Sequence, residues 1–193
     1  RYSIDVFGTR AITLVAECST LDDSVDELVG FDDADEALAG AACVDAASSS
    51  SALLAPPVNY CTAGTSTFGC NGLMSVFQGS GQCVMVASQF NGQAQSILFY
   101  GISGRVANPW SGMSTSFMCV KAPRQQTPLQ ISGGTFGQCN GTATIDLLAF
   151  IGANSANLGN GFVGGEVIQA QCWYRDPPAP KSTNLTNAVE FTF

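Results

Sequence analysis

Glu166-Val167-Ile168-Gln169-Ala170-Gln171-Cys172-Trp173-Tyr174-Arg175 is the stretch that decides the fold. Ile168, Ala170, Cys172 and Tyr174 fall on one face of an extended chain, and Gln169 and Gln171 fall on the other. Successive side chains of a strand point to opposite sides, so this alternation predicts a strand. Working outward, short apolar or alternating runs mark residues 143–151, 117–121, 97–100, 83–87 and 74–77, and downstream residues 189–193. Gly, Asn, Ser and Pro separate these runs as turns. Residues 143–151 alternate through Ala143, Ile145, Leu147, Ala149 and Ile151, although a short helix also fits there. Strands divided by turns in this way predict a mainly β body over residues 59–193, an antiparallel β-sandwich or jelly-roll-like domain.

Residues 1–58 are of another kind. Residues 1–45 hold 11 of the 15 acids and 2 of the 7 bases, a local charge of −9, while residues 46–193 carry 4 acids and 5 bases, or +1. Tyr2, Ile4 and Val6 alternate with polar residues as a strand does. Thr20 with Asp23 forms a capping box before Leu21, Val25, Leu28 and Val29, and Gly30 stops that helix. Asp33 to Glu36 repeats the pattern before a second short helix ending at Gly40. A Ser/Ala/Pro stretch over 46–58 then reads as a linker. The expectation is an acidic N-terminal segment with a strand and two short helices, joined to the β body.

Composition removes several functions. The chain has no His, so it has no Ser-His-Asp or Cys-His pair and no His-ligated zinc. Its net charge of −8 and pI near 4.1 give it no basic footprint for nucleic acid. No apolar run reaches the length of a membrane span. The eight cysteines are even in number and include no CxxC pair, which fits structural disulfides. That usage places the protein outside the cell, secreted or at the cell surface, with Arg1 the expected start of a processed form. Pairing by sequence proximity joins Cys18 to Cys43, Cys61 to Cys70 and Cys119 to Cys139, and leaves Cys83 for Cys172.

Residues 59–193 carry the series Tyr60-Cys61-Thr62-Ala63, Gly69-Cys70, Leu98-Phe99-Tyr100-Gly101, Cys119-Val120-Lys121-Ala122-Pro123, Thr127-Pro128, Ser132-Gly133-Gly134, Cys139 and Cys172-Trp173-Tyr174-Arg175-Asp176-Pro177. Together these motifs resemble an uncharacterised C-terminal domain of large secreted proteins from planctomycete-type environmental bacteria. The resemblance implies export, a disulfide-bonded β-domain and a surface or matrix role, and it brings no activity with it.

Three constellations bear on function. The acids at Asp22, Asp23, Asp26, Glu27, Asp32, Asp33, Asp35 and Glu36 are hard-oxygen ligands, and Asp32, Asp33, Asp35 and Glu36 are the calcium candidates. They lack the EF-hand spacing, and helix capping accounts for the same residues. The aromatic and polar set Trp110, Phe117, Trp173, Tyr174 and Arg175 suits stacking on sugar rings, although Trp173 and Tyr174 face opposite sides of one strand. Arg175-Asp176 before two prolines reads as a strand terminus with a local ion pair. Tyr2, Ile4 and Val6 at one end, and Val189, Phe191 and Phe193 at the other, form alternating terminal strands that can pair with an open sheet edge of another copy. The alternative is that the first and last strands pair within one sheet. Asn140-Gly141-Thr142 and Asn184-Leu185-Thr186 are N-glycosylation sequons of surface loops.

The expected function is therefore non-enzymatic, without a cofactor. The protein is read as a structural subunit of an extracellular fibre or surface layer, its copies joined by terminal-strand addition. The alternative is a monomeric polysaccharide-binding module of a larger secreted protein.

Overall fold

In a computed structural model of the protein, residues 55–79 and 81–192 are described, all within the compact unit Ser49–Phe193. The N-terminal strand Tyr2, Ile4 and Val6, the two acidic helices, the calcium candidates Asp32, Asp33, Asp35 and Glu36, the pair Cys18–Cys43 and Phe193 lie outside the described residues.

The chain forms β1 (Val58–Tyr60), β2 (Leu73–Gly79), β3 (Gln82–Phe90), β4 (Gln95–Gly101), β5 (Arg105–Pro109), β6 (Phe117–Val120), β7 (Arg124–Gln126), β8 (Gln130–Ile131), β9 (Gly141–Asp146), α1 (Leu147–Gly152), β10 (Val167–Arg175) and β11 (Thr183–Thr192). A six-stranded antiparallel sheet runs β1-β11-β10-β4-β7, with β8 pairing a different part of β4. A second sheet runs β2-β3-β9, and β5 and β6 form a separate hairpin. The sandwich is thus present, with a third layer added to it.

The face anticipated from Ile168, Ala170, Cys172 and Tyr174 is the inner one. These residues join Leu98, Tyr100, Val189 and Phe191 of the larger sheet and Met74, Met85, Ala87 and Ala143 of the smaller in one core. Phe90 packs against the Tyr174 ring at 5.0 Å between centroids. The opposite face of β10 is also covered. There the β5–β6 hairpin lies on the sheet, with Val120 and Met118 against Phe99, Leu185 and Trp173. Gly101 permits that approach, because a Cβ there would stand 2.8 Å from Val120 Cγ1 and 2.9 Å from the Lys121 carbonyl.

Polar side chains bind the hairpin to the sheet. The Cys119 N–H donates to Gln171 Oε1 at 3.0 Å, and Gln171 Nε2 donates to the carbonyls of Phe117 and Thr186, each at 2.8 Å. Gly104 N–H donates to Gln169 Oε1 at 3.0 Å, and Gln169 Nε2 donates to Glu190 Oε2 at 2.9 Å. Arg105 meets the same carboxylate with two bonds, of 3.0 and 2.7 Å, from Nε and Nη2.

One irregularity lets β11 serve both layers. Gln171 pairs with Ala188 and Trp173 pairs with Leu185, so Thr186 and Asn187 together oppose Cys172. The extra residue reverses the facing of the strand at that point: Leu185 packs outward while Val189 and Phe191 pack inward. The Cys172 N–H turns to Thr186 Oγ1 at 3.0 Å. Asn187 also joins the two sheets, its N–H donating to Gly72 O at 3.1 Å and its Oδ1 accepting from Met74 N–H at 2.6 Å.

Several expectations are corrected. Residues 143–151 do not run on as one strand: β9 ends at Asp146, whose side chain accepts from the N–H groups of Leu148 and Ala149 and starts α1. Leu147 and Ile151, four apart, then share the buried side of a helical turn as well as they would have shared a strand face. Val189 and Phe191 lie within this chain's own sheet, the alternative stated above. They are 1% and 2% exposed in β11, which is flanked by β1 and β10 in its own sheet.

The disulfides cross the fold rather than closing short loops. Cys61 is bonded to Cys119 and Cys70 to Cys139, with Cα separations of 6.2 and 5.2 Å. The pairings Cys61–Cys70 and Cys119–Cys139 are therefore incorrect, because antiparallel topology brings sequence-distant segments together. Cys83–Cys172 is incorrect as well: both thiols are free and buried in the main core. Such bridges are compatible with an extracellular location.

Candidate functional site

The outer face of the larger sheet, where the hairpin stops short of covering it, holds a cleft of about 410 Å³. Its floor follows from the strand period. Trp173 of β10 stands opposite Ile97 of β4, Gln171 stands opposite Phe99, and Phe99 stands opposite Gln126 of β7. Ile97, Phe99, Trp173, Gln126 and Arg124 therefore line one side. Trp110, immediately after β5, and Met118 and Ala122 of the β6 arm form the facing wall.

Both tryptophans of the chain are in this cleft and both are half-buried. Trp110 is fixed at two points. Its indole N–H donates to Thr183 Oγ1 at 3.0 Å, and the Lys181 ammonium lies over the ring, 4.3 Å from its centroid. Arg124 is exposed and donates from Nη1 to the Val120 carbonyl at 2.8 Å. The site thus offers apolar ring surface beside an amide and a guanidinium, in a volume within the roughly 300–1,000 Å³ usual for small-ligand clefts.

The aromatic set anticipated from sequence separates here. Trp110 and Trp173 come together. Tyr174 is in the main core, where burial raises its phenol far above the ordinary value. Phe117 is half-buried in β6 and does not line the cleft. Arg175 lies apart, beside the Phe68–Phe136 pair in a depression of about 200 Å³. Arg124, Gln126, Ile97, Phe99 and Met118 were missed. The alternation of Arg124 and Gln126 about Gln125 was the only available signal, and it spans just three residues.

Asp176 is not half of a local ion pair. It is fully buried, accepts from the Thr67 N–H at 3.0 Å, from the Thr67 hydroxyl and from Asn91 Nδ2 at 3.3 Å, and so ties the end of β10 to the segment before β2. The ion pair among the described residues is Arg105–Glu190. Asn184 is not a surface sequon, since it is 2% exposed in β11 and donates to the Thr65 carbonyl, whereas Asn140 is exposed.

No known protein family, curated protein or solved structure matches the chain.

Proposed function

We propose that the protein is a binding module for polysaccharide, exported to an oxidising compartment, and that the Trp110–Trp173 cleft takes the sugar. The convergence of both tryptophans on one open cleft carries this reading. One face of a pyranose ring presents C–H groups, which suit the negative face of an indole. The hydroxyls at its rim need donors and acceptors, and Gln126 and Arg124 supply them. The hairpin, held by Gln169, Gln171 and the Cys61–Cys119 bridge, fixes the opposite wall before any ligand arrives.

Calorimetric titration against a panel of neutral and charged oligosaccharides tests this. Binding is expected for at least one of them, with a Trp fluorescence change, and Trp173→Ala is expected to remove it. A panel without a binder would end the reading.

A second reading has its own observation. β7 ends the larger sheet, with no strand beyond it among the described residues. Such an edge is a template for strand addition from another copy, whose Tyr2, Ile4 and Val6 are the candidate donors. Light scattering on the full chain and on a chain lacking residues 1–7 tests it: assembly that survives the deletion removes these donors.

A further inference from the structure

We infer that the glycan taken by the Trp110–Trp173 cleft is acidic, a polysaccharide with carboxylate groups on its rings; this deepens the reading above and rests on it. Among the described residues, the charges around the cleft are one-sided. Arg124 lines it, exposed, with one N–H given to the Val120 carbonyl and no acid partner among the described residues. Lys181, also exposed, stands over Trp110 and likewise has no acid partner there.

The four acids of the described residues are all engaged elsewhere. Asp146 caps α1, and Glu166 accepts from the N–H groups of Val163 and Gly164. Asp176 is buried beneath Thr67, and Glu190 is held by Arg105 and Gln169. None lines the cleft.

A neutral sugar needs no cation, since an amide such as that of Gln126 offers its hydroxyls both a donor and an acceptor. A guanidinium instead matches a carboxylate, with two parallel N–H···O bonds. The apolar floor of Ile97, Phe99 and Trp173 lowers the local dielectric and strengthens that pair relative to open solvent. A uronate ring would lie on Trp173 and turn its carboxylate to Arg124.

The test is calorimetric titration of the full chain with a short oligogalacturonate, a neutral cello-oligosaccharide of equal length, and polyglutamate. The oligogalacturonate should bind about tenfold more tightly than the neutral sugar, with the difference shrinking as salt is added. Arg124→Gln should remove most of that difference, and Trp173→Ala should abolish binding. Trp173→Phe, with circular dichroism, guards against loss of fold and should retain part of the affinity.

Equal affinity for the acidic and neutral sugars, unaffected by Arg124→Gln, overturns the acidic inference and leaves the polysaccharide reading standing. Polyglutamate binding as well as the oligogalacturonate overturns it in favour of an acidic peptide. Failure of the oligogalacturonate to bind overturns the acidic inference, and the polysaccharide reading falls with it only when the wider panel of neutral and charged oligosaccharides also holds no binder.

Discussion

Gln171 faces Cys119 with its side-chain amide in the place of a neighbouring strand: the amide oxygen accepts the Cys119 N–H at 3.0 Å, and the amide nitrogen donates to the Phe117 carbonyl at 2.8 Å. The edge of β6 is satisfied by one side chain from the sheet beneath it. A polar residue on the second face of a strand is ordinarily a solvent contact; here it is fully buried and holds two layers together.

Replacing Gln171 by Leu keeps the size of the side chain but leaves the Cys119 N–H and the Phe117 and Thr186 carbonyls without these partners. A loss of about 2–4 kcal/mol is expected, since buried backbone groups are left unpaired. Urea denaturation reads it as a lower midpoint at constant slope. An unchanged midpoint would show that the hairpin does not depend on this residue.

The Arg105–Glu190 pair gives a pH dependence of known sign. The hydrogen bonds from Arg105, then that from Gln169, hold the Glu190 carboxyl below its usual range despite partial burial. A depressed folded value means that its contribution is complete above the unfolded value of about 4.3 and is lost as pH falls through the lower, folded one. The two side chains are 45% and 24% exposed, so the coupling is limited to about 1 kcal/mol or less. A double-mutant cycle of Arg105→Gln and Glu190→Gln should find it at neutral pH and lose it in acid. Coupling that persists in acid would contradict the assignment.

Alkylation of the native protein near neutral pH should label neither Cys83 nor Cys172. Burial, and then the nearby Asp146 charge, pushes the Cys83 thiol up to about 11, and burial alone raises Cys172 further. The reactive thiolate is scarce in both. After unfolding without reductant both should label, while peptide mapping finds Cys61 joined to Cys119 and Cys70 to Cys139. A Cys83–Cys172 crosslinked peptide would refute this.

Asp176→Ala removes the acceptor for the Thr67 N–H and hydroxyl and for Asn91 Nδ2 in a buried site. The expected cost is about 3 kcal/mol. Asp176→Asn keeps one acceptor oxygen and should cost less. Thermal melts order the two variants, and an equal loss in both would show that the carboxylate's second oxygen carries the whole interaction.

The strands β2, β3 and β10 were legible from an apolar face at period two, and β4 and β6 from continuous apolar runs, Ile97 to Tyr100 and Phe117 to Val120, that are covered on both faces. β1, β5, β7 and β8 were not: three of them have two to three residues, and Arg105 to Pro109 carries too little apolar pattern to show a face. The start of β11 was hidden for another reason, since the bulge at Thr186 and Asn187 breaks the alternation between Leu185 and Val189. Half of the cleft was legible in Trp110 and Trp173. Its polar half was not, because Arg124 and Gln126 reach the tryptophans only through the pairing of β7 with β4. The disulfides were unreadable from spacing, as the partners lie 58 and 69 residues apart.

β1 and β11 run antiparallel, with Val58 opposite Glu190 and Tyr60 opposite Ala188. A load pulling Val58 away from Glu190 would act as on a zip, opening the ladder one rung at a time. The rungs are few, and Cys61 follows the last of them, bonded covalently to Cys119 in the hairpin. Peeling therefore stops there, and tension passes into the layer that walls the tryptophan cleft. The wall of the cleft and resistance to traction meet in that hairpin, so reducing the Cys61–Cys119 bond should turn a latch into a tear line.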